Sequence, residues 1–303
     1  MTSLTNVLEI VLPVFIALCL GMLCRAKRIL SPEGNAALKK VAVSITLPAV
    51  SFGTFARADY SAGRMLVPVW IFIACCIALA LGSAARRLLK MEHSRAPYLC
   101  TAFEGGMLGF SLYPLIYGDL SPFAIVVLGN TFFIFTIYKV LLSGAKGKKA
   151  LLKETFTSPS LWALLLGLAI GASGLYDRMG EIGVQGLFDG IQGFIAAPTS
   201  FLVLLSVGYD LKPVDIQWKE TFKVLSVRIA IMALLLGATL LVNRFFLNGV
   251  IETQAAVMLF ILPAPFVLQA FSKEASEAGF ISSTLSLQTI LTIIGFAVMA
   301  ALA

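Results

Sequence analysis

Apolar residues run along this chain in blocks of about 20, the length a helix needs to cross a bilayer, and short polar, basic or glycine-rich stretches separate the blocks. The alternation predicts ten spans, at residues 7–24, 36–56, 65–85, 96–117, 122–142, 159–175, 188–209, 221–246, 253–271 and 279–302. Between the fifth and sixth, residues 143–157 are basic and short. The chain therefore divides into a first five-helix unit at 1–145, a linker at 146–157 and a second unit at 158–303.

Composition agrees with this pattern. Of 303 residues, 59% are hydrophobic and 13% are charged, with a mean hydropathy of +0.93. A soluble domain usually carries about 25% charged residues, so the chain reads as an all-α polytopic membrane protein whose solvent is the lipid bilayer. The net charge of +7 could suggest nucleic acid, but no basic patch comes with a folded aqueous surface. Lysine and arginine gather instead in the connections that stay in the cytoplasm. All but Arg57, Arg64, Arg178 and Arg244 of the 23 basic residues fall on one side of the ten-span reading, with Arg228 counted in the connection between spans 7 and 8. Both termini are then expected outside the cell (inner) membrane. The first span lacks the basic start of a secretory signal and is read as retained. Cys19, Cys24, Cys75, Cys76 and Cys100 have neither disulfide nor metal spacing.

Five spans per unit is odd, so the second unit must enter the membrane inverted relative to the first. Paired prolines fit that arrangement: Pro13 and Pro159 open spans 1 and 6, and Pro48 and Pro198 lie in spans 2 and 7. Span 4 carries Glu104, Gly105, Gly106, Gly109, Ser111 and Pro114, and span 9 carries Pro263 and Pro265. Glycine and proline weaken a helix. Irregular backbone at membrane depth survives only where protein or a wet cavity satisfies it. Two broken helices in matching positions point to the midplane site of a secondary transporter.

Leu12-Pro13, Leu47-Pro48-Ala49, Ser206-Val207-Gly208, Pro263-Ala264-Pro265 and Ser283-Thr284-Leu285-Ser286 follow one another in an order and spacing that resembles the auxin efflux carrier family, bacterial type. The resemblance implies ten helices as two inverted five-helix repeats, with broken helices 4 and 9 crossing, as in bile-acid carriers. It also implies transport of an organic anion or amino-acid-like metabolite, and a homodimer as in the plant carriers. The family's span-4 pattern places Asn where Glu104 stands and Pro where Ser111 stands, with Pro114 expected to supply the break three residues later. An amide does not titrate and a carboxylate does.

The candidate substrate-binding residues are therefore Glu104, Gly105, Gly106, Gly109, Ser111, Pro114, Pro263, Pro265 and Gln269, with Tyr113 as a further polar contact. Intramembrane carboxylates are expensive and usually face the protein interior, which makes Glu104 the candidate ion-coupling residue for H+ or Na+. The bland alternative places it at a wet helix start. Asn130, Ser283, Thr284 and Gln288 read as interhelical hydrogen-bonding groups, and Gly167 with Gly171 as close helix packing. Asp210 and Lys212 read as a solvated loop start rather than a gate. No cofactor or metal is expected, and no enzyme: Ser111 has no base in a span, since His93, the one histidine, lies in a basic loop. The alternatives to an organic-solute carrier are an ion-only sodium/proton exchanger and a non-transporting receptor or scaffold.

Overall fold

The computed structural model describes residues 4–58, 60, 63–143, 156–211, 217–271 and 275–303. Each predicted span is mainly helical, with non-helical interruptions at 100–104 and 262–265. In chain order the helices are α1 (Leu4–Ala26), α2 (Pro32–Arg57), α3 (Leu66–Leu88), α4 (Ala96–Leu99), α5 (105–117), α6 (Ser121–Leu142) and α7 (Pro159–Ala172). Then come α8 (Leu175–Glu181), α9 (Gln185–Ala196), α10 (Thr199–Asp210), α11 (Trp218–Phe245), α12 (Thr253–Ile261), a tight 3-10 stretch α13 (Phe266–Phe271), and α14 (Ala275–Leu302). Among the described residues seven stretches, one of them α9 and α10 taken as a single run, are long and apolar enough to cross a membrane. The pair α7–α8, bent by 62°, makes an eighth if it counts as one span. The linker at 146–157 lies almost wholly outside the described residues, as do Lys212 and Lys273.

Local chemistry sets many boundaries. Ser31 caps α2 by accepting from the Gly34 N–H at 3.1 Å, and Pro32 opens the helix where its missing donor costs nothing. Pro97 and Pro159 open α4 and α7 in the same way. Within α2 the turn widens to a π form over Ala42–Thr46, directly before Pro48, which has no N–H to continue the ladder. Gly118 ends α5 at φ +73°, a backbone that L side chains rarely adopt.

The expected break at Pro114 is not where the chain breaks. Pro114 lies inside a continuous helix. The interruption falls earlier, at 100–104, between α4 and α5, where Ala102 takes a left-handed φ of +57°. The proline was misleading because the run from Gly105 begins in a wide π turn that carries on through it, whereas Ala102 reverses the ladder with no sequence signature.

Packing follows an exchange between the two halves. Helix α1 packs on α10, and α7 packs on α2. A Cβ added to Gly21 would stand 2.1 Å from the Leu205 carbonyl oxygen, and one on Gly167 would stand 2.6 Å from that of Phe52. Gly21 and Gly167 are 146 residues apart, the offset that also separates Pro13 from Pro159. Gly171 approaches Phe55 as closely, so the Gly167–Gly171 pair is a packing seam as expected. The remaining helices form a second group: α3 packs on α4, α6 and α11, and α11 on α12 and α14. Leu12, Phe15, Ile229, Leu234 and Leu241 are exposed, and their apolar surface suits lipid.

Candidate functional site

The break between α4 and α5 meets the break between α12 and α13. The Glu104 N–H donates to the Pro263 carbonyl at 2.8 Å. Two amide side chains hold the pair of breaks in place. Asn130 on α6 accepts from the Phe103 N–H at 3.0 Å and donates to the Phe103 carbonyl at 2.9 Å. Gln288 on α14 accepts from the Ala264 N–H at 2.9 Å and donates to the Leu99 carbonyl at 3.0 Å. Each amide lies on the helix that follows its broken one and substitutes for the missing ladder, so their reading as interhelical hydrogen-bonding groups holds. Ser283 bonds within its own helix, and the Thr284 hydroxyl lies 3.5 Å from that of Thr221.

Two opposite charges complete this arrangement. The Glu104 carboxylate accepts from the Phe266 N–H at 2.6 Å and the Met107 N–H at 3.2 Å, so it caps the start of both second half-helices. It is buried, yet it borders a cavity of about 420 Å³. The bland alternative, a wet helix start, does not describe it. Arg228 supplies the other charge. Its guanidinium donates to the carbonyls of Leu99 at 2.9 Å, Ala102 at 3.0 Å and Leu262 at 2.8 Å, where the first half-helices end. Helix ends in hydrocarbon need such partners, because each buried carbonyl left unpaired costs about 1–3 kcal/mol.

Arg228 belongs to a helix and not, as the basic-residue pattern suggests, to the connection between spans 7 and 8. It sits eleven residues into the 28-residue apolar helix α11 and is 5% exposed. The signal was present in the chain: a lone arginine between apolar residues at membrane depth is a site candidate by default. Asp210 has a partner that its place in the sequence does not announce. It is partly exposed at the end of α10, as a solvated loop start would be, and it is also paired: Lys39 bridges to it and Asn35 donates to it at 3.0 Å. Its notional partner Lys212 is outside the described residues.

The 420 Å³ cavity gathers only part of the predicted set. Glu104, Gly106, Pro265 and Gln269 line it, together with Met107, Phe110, Lys39 and Asp210. A second cavity of about 370 Å³ holds Pro114, Gly118, Asp119 and Arg57. Lys39 and Arg57 stand near opposite ends of α2, so the two cavities reach toward opposite ends of the molecule, and Phe110 lines both. Gly105 and Gly109 line neither; they pack against Val127 and Phe123. The buried Ser111 hydroxyl donates to the Met107 carbonyl at 2.7 Å, a bond within its own helix run. Tyr113 stacks on Phe123 at 4.8 Å. Pro263 contributes its carbonyl to the meeting of the breaks. His93 stacks on Phe280 and pairs with Gln217, and among the described residues no group of side chains is arranged to hold a metal.

A chain of membrane helices with a charged, broken centre is the geometry of a transporter, and comparison with known proteins agrees. The family described as membrane transport protein, that of the auxin efflux carriers, matches residues 6–154. The likeness to that family covers the first half of the chain. The likeness continues beyond it: an uncharacterized transporter of Methanothermobacter thermautotrophicus is 24% identical over 304 aligned positions, covering 94% of this chain and 95% of its relative. The protein is thus similar along nearly its whole length to a protein described as a transporter.

Proposed function

We propose that this membrane transporter is a secondary carrier of a small organic solute, an organic anion or amino-acid-like metabolite. It would act by opening the meeting point of the two breaks alternately to each side of the membrane. The observation that carries this reading is the pair of cavities that lie toward opposite ends of α2 and share Phe110, one of them bordered by Glu104. Glu104 borders one of them and is the candidate for coupling to H+ or Na+. The solute class rests on the resemblance to the auxin efflux carriers.

The same reading takes the molecule as ten spans in two inverted repeats, 1–145 and 158–303, with crossing broken helices. Exchange of partners between the halves supports it, since α1 on α10 mirrors α7 on α2. So do two ion pairs. Lys39–Asp210 and Arg57–Asp189 tie α2 to the run α9–α10 near opposite ends. Lys39 and Asp189 are 150 residues apart, as are Pro48 and Pro198. Placement in the cell (inner) membrane belongs to the same reading, and the basic connections support termini on the outer side.

The test is charge movement by proteoliposomes on a solid-supported membrane, with jumps of pH, of sodium and of a panel of carboxylates and amino acids. A solute-evoked current is expected, and its dependence on pH or sodium should vanish in Glu104→Gln. Current from ions alone, with no solute response, would replace the carrier with an ion exchanger.

A further inference from the structure

Three main-chain carbonyls, those of Leu99, Ala102 and Leu262, converge at 2.8–3.0 Å on one buried guanidinium. They come from two different broken helices and from opposite halves of the chain. In other carriers with broken helices, unwound carbonyls and half-helix C-terminal ends of this kind coordinate the coupling cation. Here the donors around them are Arg228 and the Gln288 amide, which also reaches the Leu99 carbonyl. Arg228 further lies over the Phe103 ring, 5.9 Å from its centroid.

We propose that Arg228 is a built-in substitute for a metal cation at this carbonyl cluster, so that the transport cycle runs without a bound sodium ion. The inference rests on the carrier reading and narrows its coupling, because a carbonyl cluster filled by a tethered guanidinium offers sodium no place. Charge balance points the same way. An unpaired cation in a dry interior is expensive, and the carbonyls at the end of α12 and around Ala102 carry the partial negative charge that offsets it. Ala102 shows what the arrangement holds in place: its left-handed backbone presents its carbonyl to Arg228.

The experiment measures radioactive sodium retention and thermal unfolding of the purified protein, in sodium chloride against N-methylglucamine chloride. The native protein is expected to retain no sodium specifically and to unfold at the same temperature in both salts. Arg228→Ala should unfold at a lower temperature, and sodium or methylguanidinium should raise it by roughly 2–4 °C, the shift that a kilocalorie of stabilisation produces in a chain of this class. Arg228→Lys keeps the charge and should show no sodium response. Saturable sodium retention by the native protein overturns the inference, whether or not any variant folds. So does an Arg228→Ala protein with native unfolding temperature and no response to either cation. Solute-evoked currents of the native protein should keep their size when N-methylglucamine replaces sodium. A complete absence of such currents would sink the carrier reading, while the sodium-retention result would still decide the role of Arg228.

Discussion

Glu104 and Arg228 divide the work at the centre of the molecule by charge: the carboxylate takes the free amides of Phe266 and Met107, and the guanidinium takes free carbonyls. An amide in place of Glu104 has one acceptor oxygen and a donor group that faces N–H groups. Glu104→Gln should therefore lose about 1–3 kcal/mol of stability, the cost of a buried unsatisfied donor. Thermal unfolding in detergent would measure it, and an unchanged midpoint would show that the carboxylate does not cap both half-helices. Ala102 offers a sharper test of the break. A left-handed backbone disfavours branched side chains, so Ala102→Val should cost roughly 1–3 kcal/mol from strain alone. Ala102→Gly relieves that strain and should stay close to native by the same assay.

At the scale of elements, close approach separates glycines that pack from the glycine that borders the cavity. Gly21 faces the Leu205 backbone and Gly208 faces that of Leu18, in both cases with backbone that cannot move aside as a side chain can. Gly21→Ala and Gly208→Ala should each drive α1 and α10 apart and lose at least about 1–3 kcal/mol, the usual cost of overpacking. Gly106 has open space around its Cα and lines the 420 Å³ cavity. Gly106→Ala should fold as the native protein does while changing the solute concentration that gives half-maximal current. If Gly106→Ala instead lost stability and left the current untouched, Gly106 would belong with the packing glycines.

For the molecule as a whole, the two cavities should open to opposite sides of the membrane. In a background with the five cysteines replaced, Ser160→Cys at the Lys39 end and Ser121→Cys at the Arg57 end should react with a membrane-impermeant maleimide from opposite sides. Labelling of both from one side would overturn the ten-span topology. The ion pairs at the two ends are partly exposed, so removing either should cost only about 0–1 kcal/mol. A larger loss for Lys39→Ala would mean that Asn35 and Asp210 hold α2 and α10 together more than a surface pair can.

The amino-acid sequence by itself determined the class of this protein and the position of its centre. Runs of apolar residues and the scarcity of charge dictate membrane helices, because backbone groups in lipid must be satisfied within the helix. The carboxylate and glycines of 104–109, with Pro263 and Pro265, mark two places where that rule is relaxed. Tertiary structure decided where the first helix truly breaks, and which residues repair it. Ala102 carries no composition signal, since its conformation is imposed by neighbours. The apolar surroundings of Arg228 mark it in the sequence, but its partners, Leu99, Ala102 and Leu262, are main-chain carbonyls far away in the chain. Carbonyls are common to every residue, so no side-chain pattern could announce them. Only folding brings three of them to one guanidinium.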